Sequence, residues 1–141
     1  MFTRIKTIKS FLIIVGSYHL IVGILGSLSS ELYVWVIQVA WRATVQLTPQ
    51  FAFTAQILSA YIIACALVVL FIARNPSRYR SFLLIPIITI SIEFLQSLTQ
   101  FSKLNTFFSI LPIHHAINLV ISLILIIGFS LSYYYTKENN V

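Results

Sequence analysis

Aspartate is absent from this chain, and its acids number only three: Glu31, Glu93 and Glu138. Cysteine occurs once, as Cys65. A lone cysteine forms no internal disulfide and supplies no pair of thiolate metal ligands. Within an apolar run it reads as a small buried hydrophobe. A dinuclear metal centre asks for several carboxylates and paired Glu-x-x-His motifs, and this chain has neither. Gly-x-Ser-x-Gly, His-Glu-x-x-His and Walker-type signatures are missing as well. Charge of either sign is scarce. Only 9% of the 141 residues are charged and 59% are hydrophobic, with a mean hydropathy of +0.96. A soluble domain is about 25% charged and about 45–50% apolar. A water-facing globule of this size cannot hide so much apolar surface, so a lipid bilayer must serve as solvent. There is room for one domain, and no internal repeat or low-complexity segment interrupts it.

What is present is four long apolar runs: Phe11–Ser29, Thr54–Ala73, Ser81–Phe101 and Leu111–Tyr135. A helix needs about 20 such residues to cross a hydrocarbon core about 30 Å thick. The net charge is +6, but the cations sit in short clusters at the ends of these runs. That is a topology signal. No basic patch interleaves with aromatics on a polar surface, so nucleic acid is excluded as a partner. Arg4, Lys6, Lys9, Arg74, Arg78, Arg80 and Lys137 fall on one side of the four spans, and only Arg42 and Lys103 on the other. The positive-inside rule then predicts both termini in the cytoplasm. The basic start and first apolar run also resemble a signal peptide. The run is long for one, and no small-x-small cleavage site follows, so it is read as a retained first span.

Asn75-Pro76-Ser77 is a breaker with turn chemistry, which predicts a tight antiparallel hairpin of spans two and three. Pro86 lies one turn into span three and is expected to kink it. Pro112 opens span four, where a missing donor costs little. Tyr133, Tyr134 and Tyr135 close that span as an interfacial aromatic belt. Glu31 to Pro49 is the one long connection. On a helical wheel Glu31, Trp35, Gln38, Arg42 and Gln46 share one face. Leu32, Val36, Val39, Ala40, Ala43 and Leu47 share the other. This predicts an amphipathic helix lying in the outer interface. Val34, Val36 and Val39 also suit an extended lid. The expected fold is therefore an all-α integral membrane four-helix bundle with an additional interfacial amphipathic helix.

Glu93 is the only acid within a long apolar run. A charge at membrane depth costs roughly 2.5–3.5 kcal/mol on insertion scales, so it faces a bundle interior, pairs, or marks a site. On its helix it shares a face with Thr89, Gln96 and Gln100. On span one Gly16, His19, Gly23, Gly26 and Ser30 fall on one face. Glycines there let a neighbouring helix approach closely, which assigns Gly16, Gly23 and Gly26 to packing and presents His19 to the bundle. On span four His115, Asn118 and Ser122 share a face, with His114 offset. Span two adds Gln56 and Ser59 near its outer end. The topology places Gln56, Gln96, Gln100, His114, His115 and Asn118 in the outer half and His19 and Glu93 near the midplane. These groups are expected to converge on an outer-half pocket roofed by Glu31–Pro49. The candidate ligand-binding residues are Glu93, His19, Gln96, Gln100, His115, Asn118 and Gln56.

Two chemistries suit such a pocket. Glu93 with His19 would make a proton-linked or quinone-type site, in which histidine hydrogen-bonds a ligand carbonyl. Alternatively these groups only hydrogen-bond across helices, contacts worth about 0.6 kcal/mol each. A haem shared by His19 and His115 is disfavoured, because at 1.5 Å rise per residue their depths differ by roughly 10 Å. His114 and His115 point about 100° apart on a helix and do not serve one site together. No cofactor is identified. The layout of basic tail, first span with Gly16-Ser17-Tyr18-His19 and Gly23, outer amphipathic segment, second span and Ala73–Arg80 turn resembles the small four-helix DoxX-like membrane proteins. That resemblance implies a bacterial inner-membrane protein tied to quinone or redox metabolism, or to a membrane-bound redox complex. It carries over no catalytic residue. The resulting expectation is a non-catalytic subunit or accessory protein of a membrane complex, possibly redox, binding lipid or a quinone-like ligand. Its partners would be membrane lipids and other membrane subunits or a second copy of itself. The alternatives are a proton-coupled carrier using Glu93 as a homodimer and a membrane redox enzyme with a bound cofactor.

Overall fold

A computed structural model describes residues 2–137. Among these described residues six α-helices follow in order: α1 (Phe2–Leu28), α2 (Ser30–Trp41), α3 (Pro49–Arg74), α4 (Leu84–Thr99), α5 (Phe101–Phe108) and α6 (Pro112–Lys137), with a 3-10 turn, Arg80–Leu83, leading into α4. No strand occurs among the described residues. The helices α1, α3, the 3-10 turn with α4, and α6 are each long and apolar enough to cross a membrane. Large apolar side chains such as Ile14, Phe53, Ile88 and Ile124 are exposed on all four. Exposure on this scale is stable in hydrocarbon and not in water.

Hydroxyls along the long helices bond back into their own backbone. Ser59 Oγ donates to Ala55 O at 2.7 Å, Ser132 Oγ to Gly128 O at 2.8 Å and Thr136 Oγ1 to Ser132 O at 2.7 Å. These three hydroxyls are thus satisfied without a partner helix, as suits a water-free medium.

The helices pair unevenly. α1 packs most extensively on α3, and α4 on α6, whereas α3 and α4 pack only sparsely. The short turn between α3 and α4 is built as expected, with Asn75 Oδ1 accepting from Arg78 N at 3.3 Å and Pro76 buried. The predicted tight hairpin is nevertheless corrected: beyond the turn, α4 leans on α6 and leaves a cleft against α3. Pro86 does not kink the middle of a helix either. The α-helix starts only at Leu84, so Pro86 falls in its first turn, where a backbone N–H has no intrahelical acceptor to lose.

The α1–α3 contact is close because of glycine. A methyl group on Gly23 would stand 3.1 Å from both Ser59 O and Ile63 N, which are backbone atoms that cannot step aside. Gly16 faces the side chains of Leu70 and Val69, and Gly26 those of Ser59 and Tyr33. A second cluster holds the end of the structure where α1 begins and α6 ends. Leu12, Ile72, Leu83 and Phe129 are fully buried there. Phe11 meets Phe129 edge-to-face at 5.2 Å, the geometry that aromatic quadrupoles favour.

At the opposite end α1 turns into α2 at one residue. Ser29 is extended, and its Oγ accepts from Glu31 N at 3.2 Å and Leu32 N at 3.4 Å. The Ser29 hydroxyl in turn donates to the Glu31 carboxylate. The Ser29 hydroxyl and then the backbone N–H of Glu31 hold that carboxyl below its ordinary 4.5. The helix expected to run to Pro49 ends at Trp41, where Arg42 is left-handed at φ 51°. Residues 42–48 are irregular, so Arg42 and Gln46 do not continue the helical face. β-branched Thr44, Val45 and Thr48 disfavour helix, and Pro49 forces Thr48 into the extended region that caps α3. The segment is pinned by Thr44 N donating to Phe108 O at 2.8 Å. α5, which that bond reaches, starts at the last residue of the expected third span and fills the interval before the fourth, for which no element was expected.

Candidate functional site

A cleft of about 190 Å³ opens where α4 stands off from α3. Val15, Gly16 and His19 of α1 form one wall, and Tyr61, Cys65 and Ala66 of α3 belong to another. Pro86, Thr89 and Glu93 of α4 and Phe129 of α6 complete it. Thr89 and Glu93 are one helical turn apart and face the same space, as their spacing requires. Apart from the hydroxyls of Tyr61 and Thr89 and the Cys65 thiol the rest of the lining is apolar, so His19 and Glu93 are its two most strongly polar groups.

His19 is oriented by its own helix. Its Nδ1 lies 2.8 Å from Val15 O. A carbonyl only accepts, so Nδ1 carries the hydrogen and a neutral ring leaves Nε2 as the acceptor. The edge of Tyr18 packs on the imidazole with ring centroids 5.3 Å apart. His19 is half-buried, and Glu93 keeps exposed surface, as fits a cleft that is partly open.

Tyr33 of α2 is a neighbour that sequence reasoning missed. It is buried. Burial first, and the Glu93 carboxylate second, hold its phenol above the ordinary 10.0. Tyr33 is not part of the cleft lining.

The remaining candidates lie elsewhere. Gln56, Gln96 and Gln100 are exposed and outside the cleft lining. His115 is buried but stacks on Phe101 of α5, with ring centroids 4.5 Å apart. Asn118 is half-buried; its Nδ2 and His114 Nδ1 are enclosed without a hydrogen-bond partner among the described residues. The cleft runs from Pro86 and Phe129 past His19 and Glu93 to Tyr61 and Leu58, and its lining includes none of these other polar groups. Among the described residues no cluster of three histidine, cysteine or acidic side chains could hold a metal ion. Cys65 is exposed and lines the cleft, and is not the buried filler its surroundings suggested.

Chemically, the cleft offers an imidazole, a carboxyl group and the hydroxyls of Tyr61 and Thr89 in a mostly apolar slot. That set can bind the polar head of an apolar molecule, or exchange a proton with it. Comparison with protein-family models, with curated proteins and with solved structures finds no match for this chain.

Proposed function

We propose that this chain is a multi-pass membrane protein that acts as a non-catalytic subunit or accessory protein of a membrane complex. It holds a lipid or quinone-like molecule by its head in the cleft between α1, α3 and α4. One observation carries the reading: His19 and Glu93, on different helices, line the same mostly apolar cleft. Size supports it. Sites for drug-sized ligands run about 300–1,000 Å³, whereas an apolar cavity of about 150 Å³ holds a benzene ring. A space of about 190 Å³ therefore suits a single ring or head group, with the tail left among the lipids. The layout-level likeness to DoxX-like proteins points the same way.

Cys65 is a built-in reporter, being the only thiol and part of the cleft wall. Its alkylation by N-ethylmaleimide should slow several-fold when a short-chain quinone is added to the wild-type protein. The slowing should vanish in Glu93→Gln. An alkylation rate indifferent to quinone and to single-chain lipids overturns the reading.

The sparse packing of α3 against α4 favours one second reading, a proton-coupled carrier working as a homodimer. Carriers build their sites at the interface of two helical units that move against each other. Glu93-dependent proton flux in proteoliposomes would select it.

A further inference from the structure

We propose that the end of the molecule where α1 begins, α3 ends and α6 ends is a binding surface for anionic phospholipid head groups. This inference stands independently of the cleft. Six described cations gather there: Arg4, Lys6 and Lys9 on α1, Arg74 on α3, and Arg78 and Arg80 in the link to α4. The two described acids lie elsewhere, Glu31 at the opposite end and Glu93 in the middle of α4. No described carboxylate is therefore available to neutralise the cluster.

Tyrosine rings and a carbonyl hold the guanidinium groups instead. Arg80 lies 3.9 Å from the Tyr133 ring centroid, and its Nε donates to Tyr133 O at 2.9 Å. Its terminal nitrogens are left free of that bond and fixed in direction. Arg4 stands 5.2 Å from the ring of Tyr135, and Arg78 stands 5.6 Å from that of Tyr79. Arginine laid on an aromatic face keeps its charge and its donor fork. Tyrosine at the end of a spanning helix sits at head-group level. The forks are thereby set at the depth of lipid phosphates, which they match in charge and in bidentate geometry. Arg4, Lys6, Arg74 and Arg78 are exposed, so the surface is open.

Spin-labelled phosphatidylglycerol and phosphatidylcholine in reconstituted vesicles provide the test, with the motionally restricted fraction of each as readout. The wild-type protein should select phosphatidylglycerol, and each cation removed should lower the selectivity by about fivefold at most. The triple variant Arg4→Gln, Lys6→Gln, Arg78→Gln alters exposed side chains and spares the Arg80–Tyr133 contact. Far-ultraviolet dichroism verifies its fold. A control variant, Arg42→Gln with Lys103→Gln, removes the cations of the opposite end and should retain the selectivity. Selectivity should fall with added sodium chloride. Inorganic phosphate should compete no better than chloride at equal ionic strength; specific competition would assign the surface to free phosphate and overturn the proposal. Equal restriction of the two lipids by the wild type, or unchanged selectivity in the triple variant, overturns it too.

Discussion

At the scale of single residues, the proposed function turns on two side chains. Glu93 lies against apolar walls, where an unpaired charge is costly, and His19 lies across the same cleft. Its role in binding is separable from any role in folding. Glu93→Gln should leave the thermal midpoint within a few degrees of wild type, since the carboxyl makes no hydrogen bond to another described residue that would fix a helix. A collapse of the midpoint would make it a packing residue. Gly23 is the opposite case. Its neighbours are the backbone of α3, and overpacking of this kind costs typically about 1–3 kcal/mol. Gly23→Leu should lower the unfolding midpoint in detergent clearly; an unchanged midpoint would place that face against lipid. Both residues stood out in the sequence, one as an acid in an apolar run, the other by helical spacing. Tyr33 did not, because a wheel gives the direction of a side chain and not what another helix brings to it.

The elements show where patterning is informative and where it fails. The four spanning helices were legible because length and hydropathy alone define them. The short pieces were not. α2 stops at Arg42 because a left-handed residue and β-branched neighbours end it, while the apolar periodicity continues on paper. α5 is only eight residues long, too short for periodicity to separate it from a loop. Its aromatic Phe101 has instead captured His115, which the wheel assigned to a ligand. The corner between α1 and α2 depends on Ser29. Ser29→Ala should cost about 1 kcal/mol, the ordinary worth of a helix N-cap, read as faster hydrogen exchange at the Leu32 and Tyr33 amides. The same corner is sensitive to acid. The Glu31 carboxylate is favoured in the folded state, so its contribution is complete above 4.5 and is lost as pH falls below it. Exchange at those amides should rise on acidification relative to the intrinsic rate, and Glu31→Gln should abolish that dependence. An equal pH response in the variant would contradict the assignment.

For the whole molecule, the arrangement is two unequal helix pairs joined tightly at the basic end and separated by a cleft above it. The basic end should face the cytoplasm. Ser77 lies in its link, so Ser77→Cys in a Cys65→Ala background should react with an impermeant maleimide only from the cytoplasmic side. Reaction from outside would invert the molecule. Pairing α4 with α6 rather than α3 was invisible in the sequence, since a short link normally joins packed neighbours and nothing in a run of Ile and Leu names its partner.

The most direct measurement is native mass spectrometry of the mildly solubilised wild-type protein beside Glu93→Gln and His19→Gln. The account predicts a retained lipid or quinone mass on the wild type that both variants lose while remaining folded. A wild type that carries no such mass, or variants that carry it undiminished, would contradict it.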